Sequence, residues 1–141
     1  MALFATINSE SLEINLQDTV LTGYHFSTDT SGYAKPYPHF IKLYLDINVL
    51  ALLGNKTNSL EENEKLLENL RLWGSLKYSG PDCAYYRKVV LTHTYGEELF
   101  REIWLNHAYV ENYAETIELS KRTHVIRLEL MQKGDRLRYE R

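Results

Sequence analysis

The chain has 141 residues, 44% of them hydrophobic and 25% charged, with a formal net charge of -3. That length and balance predict one globular domain with a real core, and the acidic sign argues against a general polyanion binder. One cysteine, Cys83, excludes an internal disulfide and a cysteine-built metal site.

Charge is uneven along the chain. Residues 1–120 hold nine Lys/Arg against sixteen Asp/Glu, a net of -7, and residues 121–141 hold seven against three, a net of +4. A basic C-terminal segment on an acidic body is open to three readings: solvated arginines on a strand, a nucleic-acid contact, or a contact with the acidic part of a neighbouring copy. The N-terminal MALFATINSES has no basic leader and no apolar run of signal length, and no segment approaches membrane-spanning length. These features predict cytoplasmic synthesis and no membrane insertion by this chain.

Taken in order, Leu3 to Ile7 and the alternating Leu12, Ile14 and Leu16 predict two short strands. TVLTGYHFS, residues 19 to 27, predicts a third, with Val20, Thr22, Tyr24 and Phe26 on one face. TDTSGYAKPYPHF, residues 28 to 40, carries Gly32, Pro36 and Pro38. A proline lacks the ladder donor and extends its predecessor, so this stretch predicts a long exposed loop and not a central strand. Tyr33, Tyr37 and Phe40 place aromatic surface on that loop, either as a contact site or folded back on the body.

FIKLYLDI, residues 40 to 47, alternates cleanly, with Ile41, Leu43, Leu45 and Ile47 on one side. Residues 59 to 74 predict the one helix. Ser59 and Glu62 form a capping-box pattern, Leu66, Leu67, Leu70 and Trp73 make the apolar face, and Gly74 marks the end. Glu61–Lys65 and Glu68–Arg71 are the expected ion pairs on its solvated side. After a Gly80-Pro81-Asp82 turn, strands are expected at 85–92, 99–105, 108–117 and 123–132, the last with Ile126, Leu128 and Leu130 on one face. Seven or eight strands and one helix predict a mainly β fold: a small β-barrel of two packed antiparallel sheets, flanked by the helix and carrying the long loop.

Chemistry is sparse. His25, His39, His93, His107 and His124 show no metal-ligand spacing such as H-x-x-x-H. Cys83 has no base at any spacing that sequence identifies, and its bland reading is a small residue entering a strand. Glu61, Glu62, Glu64 and Glu68 lie on a helix face, where nothing separates their pKa values for acid–base work. No glycine-rich phosphate loop occurs. The pattern favours binding or assembly over catalysis, with no cofactor.

Certain residues carry a family resemblance. LRLWGSLKYSGPDCAYYRKVVLT, LFREIWLNHAYVENYAETI and THVIRLELMQKGDR resemble the Hcp-like tube proteins of type VI secretion and related contractile injection systems. The shared shape is a Tyr-Arg-Lys-Val strand, a Phe-Arg strand, an Asn-Ala-Tyr-Val-like strand (here Asn106 to Glu115) and a closing Gln132-Lys133-Gly134-Asp135. YHFSTDTSGYAKP and IKLYLDI are similar to that family's strand, long loop and next strand. Two departures stand out: His107 interrupts the Asn-Ala pair, and ELSKRTH lacks a glycine before the last strand.

The resemblance implies a structural protein without enzymatic activity. Six copies would form a ring, and rings would stack into a hollow tube. The tube would assemble in the cytoplasm and be ejected by a contractile sheath on a baseplate with spike proteins, with effector cargo in the lumen. The resemblance makes Tyr33, Pro36, Tyr37 and Phe40 the expected ring-stacking loop. Arg136, Arg138 and Arg141 are the expected subunit-interface charges. The alternatives are a monomeric ligand-binding β-barrel or a tube-associated adaptor.

Overall fold

The computed structural model describes residues 1–9, 12–29, 40–76 and 85–133, excepting the side chains of Asp29 and Lys133. Its strands are β1 (Ala2–Asn8), β2 (Glu13–Leu16), β3 (Leu21–Asp29), β4 (Phe40–Asn48), β5 (Arg87–Tyr95), β6 (Glu98–Glu118) and β7 (Thr123–Lys133). Two helices, α1 (Val49–Leu53) and α2 (Leu60–Ser75), lie between β4 and β5. The chain is mainly β, as expected.

All strand pairs are antiparallel, in the order β2-β1-β5-β6-β7-β4-β3. The sheet curls on itself. β3 is the last strand of that order, yet the Tyr24 hydroxyl lies 2.8 Å from Nδ1 of His93 on β5. The Arg101 guanidinium on β6 likewise sits 4.9 Å from the centre of the Phe26 ring on β3. The two packed sheets therefore form one rolled sheet, with β6 serving both halves.

Alternation decides what fills the roll. Ile41, Leu43, Leu45 and Ile47 of β4 are fully buried, as are Ile126, Leu128 and Leu130 opposite them on β7. Val89 and Leu91 meet Leu105 and Ile103 in the other half. Each such side chain removed from water contributes about 1.5–3 kcal/mol.

The two expected strands at 99–105 and 108–117 are one strand of 21 residues. Their apparent gap is a bulge: Arg87 faces Ala108 and Val89 faces Leu105, so Lys88 alone opposes Asn106 and His107. The ladder loses a partner there, and the fully buried Gln132 supplies one, its Oε1 accepting from the His107 N–H at 2.8 Å. The extra residue bends the strand from one half of the roll into the other. A second bulge corrects β3. Leu21 pairs with Ile47 and Gly23 with Asp46, so Thr22 is the extra residue and faces solvent, while Tyr24 and Phe26 turn toward the core as expected.

The capping box forms as expected: the Glu62 N–H donates to Ser59 Oγ at 3.2 Å and the Ser59 N–H to Glu62 Oε1 at 3.4 Å. The buried side of α2 is Asn63, Leu67, Leu70 and Trp73, with Leu66 half-buried. Asn63 donates to the carbonyls of Leu53 and Asn55, at 3.2 and 2.9 Å, and so ties α2 to the end of α1. Gly74 lies inside the helix and does not end it; a Cβ at this position would stand 2.4 Å from Cδ2 of Tyr113 on β6. The glycine is there because helix and strand touch.

Candidate functional site

Tyr33, Pro36 and Tyr37, the arginines Arg136, Arg138 and Arg141, and also His39 and Cys83 lie outside the described residues. Phe40 opens β4, half-buried, opposite Asp29 and Lys133. The other histidines are separated. His25 packs against Tyr44, His107 is exposed on the bulge, His93 is buried in an aromatic setting and His124 joins a polar cluster. Among the described residues no three His, Cys, Asp or Glu side chains are placed to hold a metal ion.

The polar cluster is centred on Glu115 of β6. Its Oε1 accepts from Nε of Arg71 at 3.2 Å and from the Tyr113 hydroxyl at 2.7 Å. Its Oε2 accepts from Nη2 of Arg71 at 2.8 Å and lies 2.5 Å from Nε2 of His124. Tyr113 and Glu115 are two apart on a strand and share a face, His124 comes from β7, and Arg71 reaches over from α2. The Arg71 hydrogen bonds, with those of Tyr113 and His124, outweigh burial and hold the Glu115 carboxyl down to about 2. Burial first, then the adjoining carboxylate, pushes the Tyr113 phenol up to about 12.

A carboxylate has about four acceptor positions, and here two contacts fall on each oxygen. None is left for a substrate proton. The cluster is a brace between helix and sheet, and it replaces the expected Glu68–Arg71 pair; Glu61–Lys65 does form, at 3.8 Å. Only the Tyr113–Glu115 spacing was visible in sequence, because Arg71 and His124 arrive from other elements.

A second polar group, this one buried, lies beneath α2. Arg87 of β5 donates from Nη1 to Asn69 Oδ1 at 2.6 Å and stacks its guanidinium 5.0 Å from the centre of the Trp73 ring. Desolvation lowers its pKa. The Trp73 indole N–H donates to the Tyr85 carbonyl at 2.9 Å. These bonds fix the underside of the helix.

The end of the β5–β6 hairpin is aromatic. Tyr95 and Phe100 flank the buried His93 ring, with centroids 4.9 and 5.0 Å away. Tyr95, Leu99 and Phe100 each leave half or more of their surface exposed. At the opposite end of β6, the hairpin with β7 stays paired out to Glu118–Thr123 and exposes Ile117 and Leu119. Its turn bends through Arg122, at φ 52°, where a glycine was missing from the expected pattern.

Between β2 and the start of α2 lies a groove of about 330 Å³. Leu12 and Leu66 supply its apolar part, and Asn15, Asn58, Glu62 and Lys65 stand among its polar walls. No helix among the described residues is long and apolar enough to cross a membrane.

No family model matches the chain, and no curated protein matches it in sequence. Among solved structures it is similar to Hcp1 from Flavobacterium johnsoniae, with a TM-score of 0.45 and 9% identity over 93% of this chain and 94% of that one. A superposition of that extent fixes neither family nor function.

Proposed function

We propose that the chain is a self-associating structural subunit with no catalytic role, forming rings that stack into a tube as the sequence resemblance to Hcp-like proteins implies. The observation that carries the reading is where the apolar surface lies. Tyr95 and Leu99, with the bulged Phe100 between paired residues, at one hairpin, and Ile117 on the paired strand with Leu119 in the turn at the other, stand exposed on elements held by strand pairing. The most elaborate polar cluster, by contrast, is saturated by its own neighbours. Exposed apolar groups on rigid elements favour protein contacts, because little entropy is lost when they dock.

In this reading Tyr33, Pro36, Tyr37 and Phe40 touch the next ring, and Arg136, Arg138 and Arg141 meet acidic surface on a neighbour. Sheath, baseplate and cargo would be the further partners of a tube assembled in the cytoplasm and ejected. The test is native mass in dilute buffer with negative-stain imaging of the same sample. A sixfold mass and ring-shaped particles are expected. A monomer at every concentration overturns the reading.

A further inference from the structure

The β6–β7 hairpin and the β2–α2 groove are different patches of one chain, and their chemistry matches. Strand pairing runs from Tyr109–Met131 to Glu118–Thr123. From Thr116 to Thr123 every residue on the arm is exposed, so both faces of its end meet solvent. Leu119, at the turn, is 88% exposed and Ile117, below it, 58%. Isolated exposed leucines need no explanation, but two aliphatic side chains at the end of a braced, paired arm form a presented group. Arg71, Tyr113 and His124 converge on Glu115 just below it, so the arm is fixed before any partner arrives.

The tip also carries Glu118 and Lys121, joined at 3.4 Å, and Arg122, which has no ion pair among the described residues. The groove offers the complement. Leu12 and Leu66 give it an apolar strip, Glu13 and Glu62 place negative charge on its wall, and Lys65 places a positive charge beside them. At about 330 Å³ it has room for a leucine side chain with the polar groups that flank it.

We infer that the hairpin tip of one copy, led by Leu119 and Arg122, seats in the β2–α2 groove of a second copy, with Leu119 against Leu12 and Leu66 and Arg122 beside Glu13 and Glu62. A paired hairpin braced at its base does not fold back into its own chain's groove, so the occupant is another molecule. Tip and groove differ, so the contact is heterologous and each copy both gives and receives. Repetition closes a ring or extends a filament. The inference rests on the self-assembly reading and adds the surfaces that perform it.

The experiment uses the full chain in three forms: native, Leu119→Asp, and the groove variant Glu13→Lys/Gln17→Lys, which turns the groove wall positive. All three altered positions are exposed, and far-ultraviolet circular dichroism checks that each form is folded. Arg122→Glu is the substitute tip variant should Leu119→Asp not fold. Mass is measured by sedimentation across a hundredfold range of concentration.

The native chain is expected to associate, each variant alone to associate at least tenfold more weakly, and an equimolar mixture of the two to form a 1:1 dimer and stop. In that mixture only the groove variant keeps a good tip and only the tip variant a good groove. If the native chain associates and Leu119→Asp associates equally well, or if the mixture stays monomeric, the inference falls while the self-assembly reading stands. A native chain that remains monomeric overturns both.

Discussion

In the β5–β6 hairpin the turn bends through Gly96, at φ 60°, and the side chains behind it pack aromatic on aromatic around His93. In the β6–β7 hairpin the turn bends through Arg122, at φ 52°, and the side chains behind it are tied by charge through Glu115. One strand thus takes part in two hairpins held by different forces. The first depends on ring packing around a buried imidazole. The second depends on a carboxylate, a guanidinium and a close helix contact, so pH and one missing methyl group both govern it.

The sharpest way to break this difference is at the close contact. Gly74→Ala gains helix propensity worth about 1 kcal/mol, yet its Cβ would meet Cδ2, Cγ and Cβ of Tyr113 at 2.4 to 3.0 Å. Those atoms sit near the backbone and cannot swing away. Overpacking of this kind costs about 1–3 kcal/mol, and with the propensity gain set against it urea unfolding is expected to show a net loss of up to about 2 kcal/mol. An unchanged midpoint would mean that helix and strand separate freely.

At the joint between the hairpins, Gln132→Leu removes the acceptor of the His107 N–H. A part-buried donor left unmade costs about 1–3 kcal/mol, offset in part because the Gln132 Nε2 that is removed with it is buried without a partner, and hydrogen exchange at His107 should accelerate. In the second hairpin Glu115→Gln is expected to cost about 1 kcal/mol at neutral pH, as for a well-oriented surface pair. Its pH signature is more telling. The Glu115 carboxyl titrates near 4.5 when unperturbed and at about 2 in the fold. Its stabilisation is therefore present above about pH 4.5 and is lost as pH falls toward 2. Stability of the native chain should decline more steeply across that window than stability of Glu115→Gln; equal slopes would remove Glu115 from the brace.

The smallest effect is expected at the turn. Arg122→Gly relieves a left-handed residue at about 1–2 kcal/mol but loosens the unfolded chain by about 0.5–1 kcal/mol. The net is a gain of about 0.5 kcal/mol, read from the denaturant midpoint.

The alternation of Ile41 to Ile47 and of Ile126 to Leu130, and the Ser59–Glu62 box, are local patterns, and each appears as expected. What failed to show was nonlocal. The bulge at Asn106 and His107 breaks the period of two, so one strand reads as two. Helix α1 follows β4 directly, with Asn48 as its cap, and VLALL alone does not distinguish strand from helix. Gly74 reads as a stop signal because Tyr113, its reason for being there, is 39 residues away. The Arg71–Glu115 brace spans 44 residues and competes with a plausible local pair at Glu68.

The strand order carries a consequence for synthesis. β5, β6 and β7, made after the other described strands, occupy the middle of the sheet, and the first four form its flanks. β1 pairs on its inner side with β5, Ala2 opposite Thr94. A nascent chain that has emerged only as far as α2 can therefore hold two separate hairpins, β1–β2 and β3–β4, each with a bare apolar side and no centre to join. Final closure waits for the C-terminal half to leave the ribosome. The interval in which Ile41, Leu43 and Leu45 stand uncovered is set by translation speed rather than by the folding rate of any one hairpin.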